Sequence, residues 1–212
     1  MAIFETAYVT YIKPNEGGYA FVPGDKGGET YAGIARNYNP TWGGWTFIDY
    51  LKRTKGPISN NTTLPEIQYL VDDFYKTRWN ANRFGEIKSQ EVANLLFDFH
   101  VHSQSTAIKT IQAILGIGID GVMGSQTIAA INAANPAKLH DDLKAARKEF
   151  LESLVLKDPT QQKFYDGWMA RMAKFPTLVQ QNVAPILALL AVCGFAAGIY
   201  YYAKKNELKL AL

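Results

Sequence analysis

The stretch from Asn15 to Ile34 constrains the fold of this 212-residue chain more than any other. It reads Asn-Glu-Gly-Gly-Tyr, Ala-Phe-Val-Pro-Gly, Asp-Lys-Gly-Gly-Glu, Thr-Tyr-Ala-Gly-Ile. Gly17, Gly18, Gly24, Gly27, Gly28 and Gly33 crowd around the carboxylates Glu16, Asp25 and Glu29. Glycine permits positive φ and close backbone approach, at a cost in conformational entropy when it is ordered. A chain that accepts that cost is shaping backbone around something. Tyr19 to Val22 and Thr30 to Ala32 are short, aromatic and β-branched, and they flank Pro-Gly-Asp-Lys-Gly-Gly. This predicts a small β-hairpin with Asp25 in its turn. A carboxyl group beside a cleft can act as a general acid, and two carboxylates flanking one bond are the usual equipment of a glycosidase.

The rest of the chain reads as helices. Ile3, Phe4, Ala7, Tyr8, Tyr11 and Ile12 fall at helical spacing, and Pro14 should end that helix at Lys13. Glu16 would then stand just past a helix terminus, at the lip of a cleft. Asn37 to Gly44 reads as loop and carries Tyr38 and Trp42, with Trp45 just after it. Aromatic faces stack on sugar rings, so Tyr38 and Trp42 are candidates for a saccharide groove, and Trp45 suits the core. Ile48 and Leu51 suggest a short helix before Gly56-Pro57. Thr63-Leu-Pro-Glu66 is a capping box ahead of a helix bearing Ile67, Leu70, Val71, Phe74 and Tyr75 and ending near Trp79. Glu91 to Val101 predicts another, with Val92, Leu95, Leu96 and Phe99 inward. Further helices are expected from Ser125 as a cap, from Asn135-Pro136 and from Asp158-Pro159.

Glu16-Gly-Gly-Tyr19, followed by Asp25-x-Gly-Gly-x-Thr30-x-x-Gly-Ile34, resembles the signature of glycoside hydrolase family 108, the N-acetylmuramidases of phages and bacteria. The resemblance implies that Glu16 is the catalytic acid and that Asp25 has a direct role. It places Tyr19 and Thr30 beside the substrate. The Glu-x8-Asp spacing is also similar to that of phage-type lysozymes, though the step from Asp25 to Thr30 is one residue shorter than theirs. Asp98 and Ser103 match the family's Asp-x-x-x-Asn-Ser-Gly, where His102 replaces Asn and Gln104 replaces Gly. This keeps Asp98 and His102 as candidate substrate contacts. Tyr75 and Trp79 match an aromatic pair and read as packing. Asp120-Gly-x-x-Gly-x-x-Thr127 resembles peptidoglycan-binding repeats, with Asp120 read as a turn residue and not a calcium ligand. Phe164-Tyr-Asp-Gly-Trp-Met-Ala-Arg171 resembles the family's ending.

Net charge is only +3, with no dense Lys/Arg patch, so nucleic acid is not expected as a partner. His100 and His102 lack further ligands at zinc spacing, so neither metal nor cofactor is expected. The one cysteine, Cys193, excludes an intramolecular disulfide. Met1 to Lys13 lacks the basic start and apolar core of a secretory signal. Val183 to Ala203 carries no charge, about the length needed to cross a bilayer core of about 30 Å, and it ends in three tyrosines, Lys204 and Lys205.

The expected architecture is therefore mainly α. A lysozyme-like helical part with a small β-hairpin spans 1–104. A helical, peptidoglycan-binding-like part spans 105–175 and packs on it. A hinge at 176–182, a transmembrane helix at 183–203 and a short basic tail at 204–212 follow. The expected function is a membrane-anchored muramidase acting on the glycan strands of peptidoglycan, phage-encoded for entry or lysis. It would sit in the host inner membrane or a virion membrane, with virion or envelope proteins as further partners. The alternatives are a lytic transglycosylase and a non-catalytic wall-binding or virion membrane protein.

Overall fold

The computed structural model describes residues 1–23 and 27–178. Asp25 and the apolar run 183–203 lie outside the described residues. The chain forms two compact units, one of Phe4–Ala81, the other of Met1–Ile3 with the chain from Asn82 onward.

The first unit opens with α1 (Phe4–Ala7), which widens into a π-helical turn over Tyr8–Ile12 and tightens into a 3-10 turn over Lys13–Asn15. Pro14 does not stop the path at Lys13. It sits at the start of the 3-10 turn, where its missing N–H removes no ladder bond. Glu16 follows in extended conformation (φ −94°, ψ 119°), its N–H donated to Ile12 O at 3.1 Å. Ile3 is exposed and is not part of the apolar face, because residues 1–3 run beside the second unit. There Ala2 N donates to Ile87 O at 2.7 Å, and the Gln90 amide brackets Ile3 N and O at 2.7 and 3.0 Å.

Three two-residue strands form an antiparallel sheet, β1 (Tyr19–Ala20), β2 (Thr30–Tyr31) and β3 (Ile34–Ala35), in the order β1-β2-β3. Tyr19 pairs with Tyr31, and Tyr31 with Ile34. The β1–β2 pairing is the expected hairpin, but Phe21 and Val22 are exposed and outside it. The third strand was not expected. Ala32 (φ 45°) and Gly33 (φ 75°) make the two-residue turn into it, with both central residues at positive φ as a type I′ hairpin requires.

Helix α2 (Gly44–Lys55) buries Trp45 and Ile48. A 3-10 turn over Pro65–Ile67 leads into α3 (Gln68–Ala81). The Thr63 capping box does not form. The residue before the turn is Leu64, and the Tyr31 hydroxyl serves its backbone instead, accepting from Leu64 N at 2.7 Å and donating to Leu64 O at 3.1 Å. Phe4 stacks on Tyr8 (centroids 5.1 Å), Tyr8 meets Tyr75 (5.5 Å) and Phe4 meets Trp79 edge-on (5.9 Å). These four rings join the first helix to α3, each at most 8% exposed.

The second unit is helical. Its hub is α4 (Gln90–Ser103), capped by Ser89 and buried continuously from Val92 to His100. Around it lie α5 (Ser105–Ile114), α6 (Ser125–Ala133), the long α7 (Pro136–Lys157) and α8 (Gln162–Ala173). Asn135 and Asp158 cap as expected, by accepting from Lys138 N and Thr160 N. Ser125 is the first residue of α6 and not its cap, which is Gly124. The Asp-Gly motif is a turn clamped by the buried Gln112. Its amide N donates to Asp120 Oδ1 (2.7 Å), Val122 O (3.1 Å) and Thr127 Oγ1 (3.0 Å), and its carbonyl accepts from Gly121 N (2.9 Å).

Among the described residues no helix is long and apolar enough to cross a membrane, and no group of three His, Cys, Asp or Glu could hold a metal ion.

Candidate active site

A cavity of about 350 Å³ opens within the first unit. Glu16, Gly17 and Gly18 form one side, Tyr31 and Ala32 another, and Leu64, Pro65 and Val71 give it apolar wall. Among the described residues lining it, Glu16 is the one carboxylate. Its volume is in the range of small-molecule pockets.

The seat of Glu16 is made by the turn into β3. A Cβ built on Gly33 would stand 2.0 Å from Glu16 Oε2 and 2.7 Å from the Tyr75 hydroxyl. Glycine suits the position twice, for its positive φ and because any side chain there would displace the Glu16 carboxyl. Gly18 is similarly bound, since a Cβ there would meet Thr62 O at 2.3 Å.

Polar side chains line the wall beside Glu16. The Tyr8 hydroxyl donates to Asp72 Oδ1 at 2.6 Å, and Gln68 Nε2 donates to the same oxygen at 2.8 Å. Burial, then the neighbouring Asp72, raises the pKa of Tyr8 well above its ordinary value. Lys13 Nζ stands 3.7 Å from Asp72 Oδ1.

A second cluster holds the sheet to α2. Glu29 accepts from Arg36 at 2.9 Å, from Lys52, and from the Tyr19 hydroxyl at 3.1 Å, while Arg36 reaches both oxygens of Asp49 at 2.7 and 2.6 Å. Burial works against the charge on Glu29, but the hydrogen bonds from Lys52 and Arg36 outweigh it and hold its carboxyl below the usual range. Glu29 is thus an ionised structural anchor. Tyr19, 4% exposed, has its pKa pushed up to about 12 by burial first and by Glu29 next.

Of the described residues among those expected from the sequence, Glu16 alone lines the cavity, Asp25 lying outside the described residues. Tyr19 is buried in the sheet, which differs from a substrate-facing position. Thr30 is half-buried on β2. Trp42 donates Nε1–H to Leu70 O at 3.2 Å, lies edge-on to Trp45 (5.1 Å) and stacks on Tyr31 (6.1 Å), so much of its face is already taken. Tyr38 is 66% exposed.

Asp98 and His102 belong to the second unit. Asp98 is fully buried and paired with Arg147 Nη1 at 2.6 Å and Arg171 Nη2 at 2.7 Å, so a buried ion cluster, not a sugar, occupies its oxygens. His102 keeps an exposed edge with its ring 5.8 Å from Trp168. Desolvation of that ring, then the charges of Arg147 and Arg171, hold its pKa below the ordinary imidazole value, so it is neutral at pH 7.

Tyr8, Lys13, Tyr31, Gln68 and Tyr75 were not expected at the site. Gln68 and Asp72 are one helical turn apart, a spacing that could have flagged their pairing. Nothing local links Tyr75 to Glu16.

Comparison with known proteins supports a lysozyme-like, peptidoglycan-degrading function. Residues 9–103 match the family Glycosyl hydrolase 108, and residues 106–173 match a domain described as Predicted Peptidoglycan domain. Among solved structures the chain is similar to Brucella abortus SagA, at 26% identity and a TM-score of 0.58, covering 81% of this chain and 90% of that one. No curated protein matches.

Proposed function

We propose that the chain is an N-acetylmuramidase that hydrolyses the β-1,4 bond after N-acetylmuramic acid in peptidoglycan. The observation that carries this reading is the Glu16 carboxyl, close against Gly33 at the edge of a cavity with partly apolar walls. Glu16 protonates the departing glycosidic oxygen. Asp25 is the first candidate to activate water or to stabilise the oxocarbenium-like state, by its place in the resemblance. The helical part at 105–175 holds the enzyme on the wall polymer. The uncharged run 183–203 anchors it to a membrane, and a phage origin would explain how a muramidase so anchored reaches the wall.

Replacing Glu16 by Gln keeps the shape of the side chain and removes the proton source. Activity on purified sacculi should fall by about two to four orders of magnitude, the usual worth of acid–base catalysis, with folding little changed. Near-normal clearing of a sacculus suspension by the Gln variant would sink the assignment. A lytic transglycosylase is the second reading, favoured by the single carboxylate among the described lining residues. Mass analysis of the released muropeptides separates the two, since hydrolysis adds water and a transglycosylase leaves an anhydro ring.

A further inference from the structure

We infer that Tyr75 is a positioning residue whose hydroxyl oxygen accepts a hydrogen bond from the protonated Glu16 carboxyl, keeping the acid loaded and aimed. The inference rests on the reading of Glu16 as the catalytic acid and names the group that supports it.

Tyr75 is 1% exposed, and its hydroxyl donates to the carbonyl of Ala32 at 2.8 Å. A carbonyl can only accept, so the single hydroxyl proton of Tyr75 is committed there. Ala32 is itself buried, and turning that proton elsewhere would remove a buried carbonyl's partner. Glu16 Oε2 and the Tyr75 hydroxyl both lie within 2.7 Å of one point, the Cβ position that Gly33 leaves empty. What Tyr75 can present to Glu16 is therefore a lone pair. Against a carboxylate, a lone pair is repulsive. Against a carboxylic acid it is a hydrogen-bond acceptor. Hydrogen bonding to one protonation state favours that state.

Four polar side chains of the cavity wall are engaged elsewhere. Tyr8, on the π-turn, gives its proton to Asp72. Tyr31, on β2, spends its hydroxyl on Leu64. Lys13, at the end of Glu16's own helical path, leans to Asp72, and Gln68 on α3 donates to the same carboxylate. Gly24, Asp25 and Lys26 lie outside the described residues. The type I′ turn supports the arrangement twice over. Ala32 supplies the carbonyl that fixes the Tyr75 proton, and Gly33 supplies the gap in which acid and phenol meet.

The test is Tyr75→Phe in the full chain, read in two ways. The first is the pH profile of sacculus hydrolysis. Loss of the acceptor should move the alkaline limb to lower pH by about one unit, so that activity on that limb falls about tenfold while activity at acid pH is largely kept. A residue that only packs would lower the whole profile and leave the limb in place. The second is a carbon-13 titration of the Glu16 carboxyl, assigned by its absence in the Glu16→Gln variant. Its midpoint should fall in Tyr75→Phe by the same amount. A limb or midpoint that stays still, or that moves up, overturns the inference. Upward movement would mean that Tyr75 donates to Glu16. If Tyr75→Phe does not fold, 3-fluorotyrosine at position 75 keeps the shape while weakening the phenol oxygen as an acceptor, and should shift the midpoint the same way by less. If instead Glu16→Gln keeps full activity, the reading of Glu16 as the acid fails, and the titration still decides what Tyr75 does to its proton.

Discussion

Gly33 is the residue on which the site geometry turns. A methyl group there would fall 2.0 Å from Glu16 Oε2 and would have to be held at φ 75°. The first demand is met by swinging the Glu16 carboxyl, the end of a flexible side chain, out of its place, and the second leaves the backbone strained. Gly33→Ala should therefore lower sacculus hydrolysis by at least about a hundredfold, through displaced Glu16, and cost about 1–2 kcal/mol of stability from left-handed strain. Thermal unfolding and a turbidity assay on the same preparation separate the two effects. A Gly33→Ala protein with normal turnover would mean that Glu16 works from a different position. At this scale the sequence is legible where a residue's chemistry is local. Glu16 stands out because Gly17, Gly18 and Tyr19 follow it directly. Tyr75 does not, since a tyrosine on an apolar helix face looks the same whether its hydroxyl meets a carbonyl, an acid or water. Asp98 misleads for the opposite reason. Its place in a family motif suggests a surface, while its partners Arg147 and Arg171 lie far along the chain and bury it.

Among the elements, α4 is the one the second unit cannot lose. Val92 to His100 are buried on every side, which a helix shows when neighbours enclose it. The cost is a charged residue inside, Asp98, balanced by Arg147 from α7 and Arg171 from α8. Arg147 is 1% exposed and lies between the rings of Phe99 (5.3 Å) and Phe175 (5.9 Å). Removing the carboxylate would strand that guanidinium. Asp98→Asn should destabilise the protein by about 3–5 kcal/mol, the usual result of breaking a buried pair from one side. Urea unfolding measures it, and a change below about 1 kcal/mol would show that water reaches Arg147 on its own. Turnover per folded molecule should be unchanged, because Asp98 is not among the described residues that line the cavity. The long helices were legible from apolar spacing and from the Asn135-Pro136 and Asp158-Pro159 starts. The third strand and the π-turn were not, because a two-residue strand has no periodicity and a π-turn has no residue signature. The Thr63 box failed because the Tyr31 hydroxyl, thirty-odd residues earlier, took over the Leu64 backbone.

On the scale of the whole molecule, two divisions of the chain coexist. The matched domains meet between residues 103 and 106, while compactness divides the chain at Ala81 and Asn82. The difference is α4, which closes the glycosidase match in sequence but packs with α5 and α7. The end of the described chain belongs to the same packing. Phe175 is 2% exposed against Arg147, its carbonyl accepts from Lys144, and Leu178 N donates to Asp141 at 3.0 Å. The second unit therefore includes residues up to Leu178, three beyond the expected end at 175. Only four residues then separate Leu178 from the uncharged run that starts at Val183. A chain ended after Leu178 should fold, stay in the supernatant after carbonate extraction of membranes and hydrolyse sacculi at the full-length rate. A chain ended after Lys174 should lose about 3 kcal/mol, because Phe175 leaves a hole over Arg147. The full chain should stay with the membrane pellet, since 21 residues without a charge have no polar face for water. Quantitative release of the full chain by carbonate would mean that 183–203 packs on protein, and the anchor would have to be given up while the assignment of Glu16 stood.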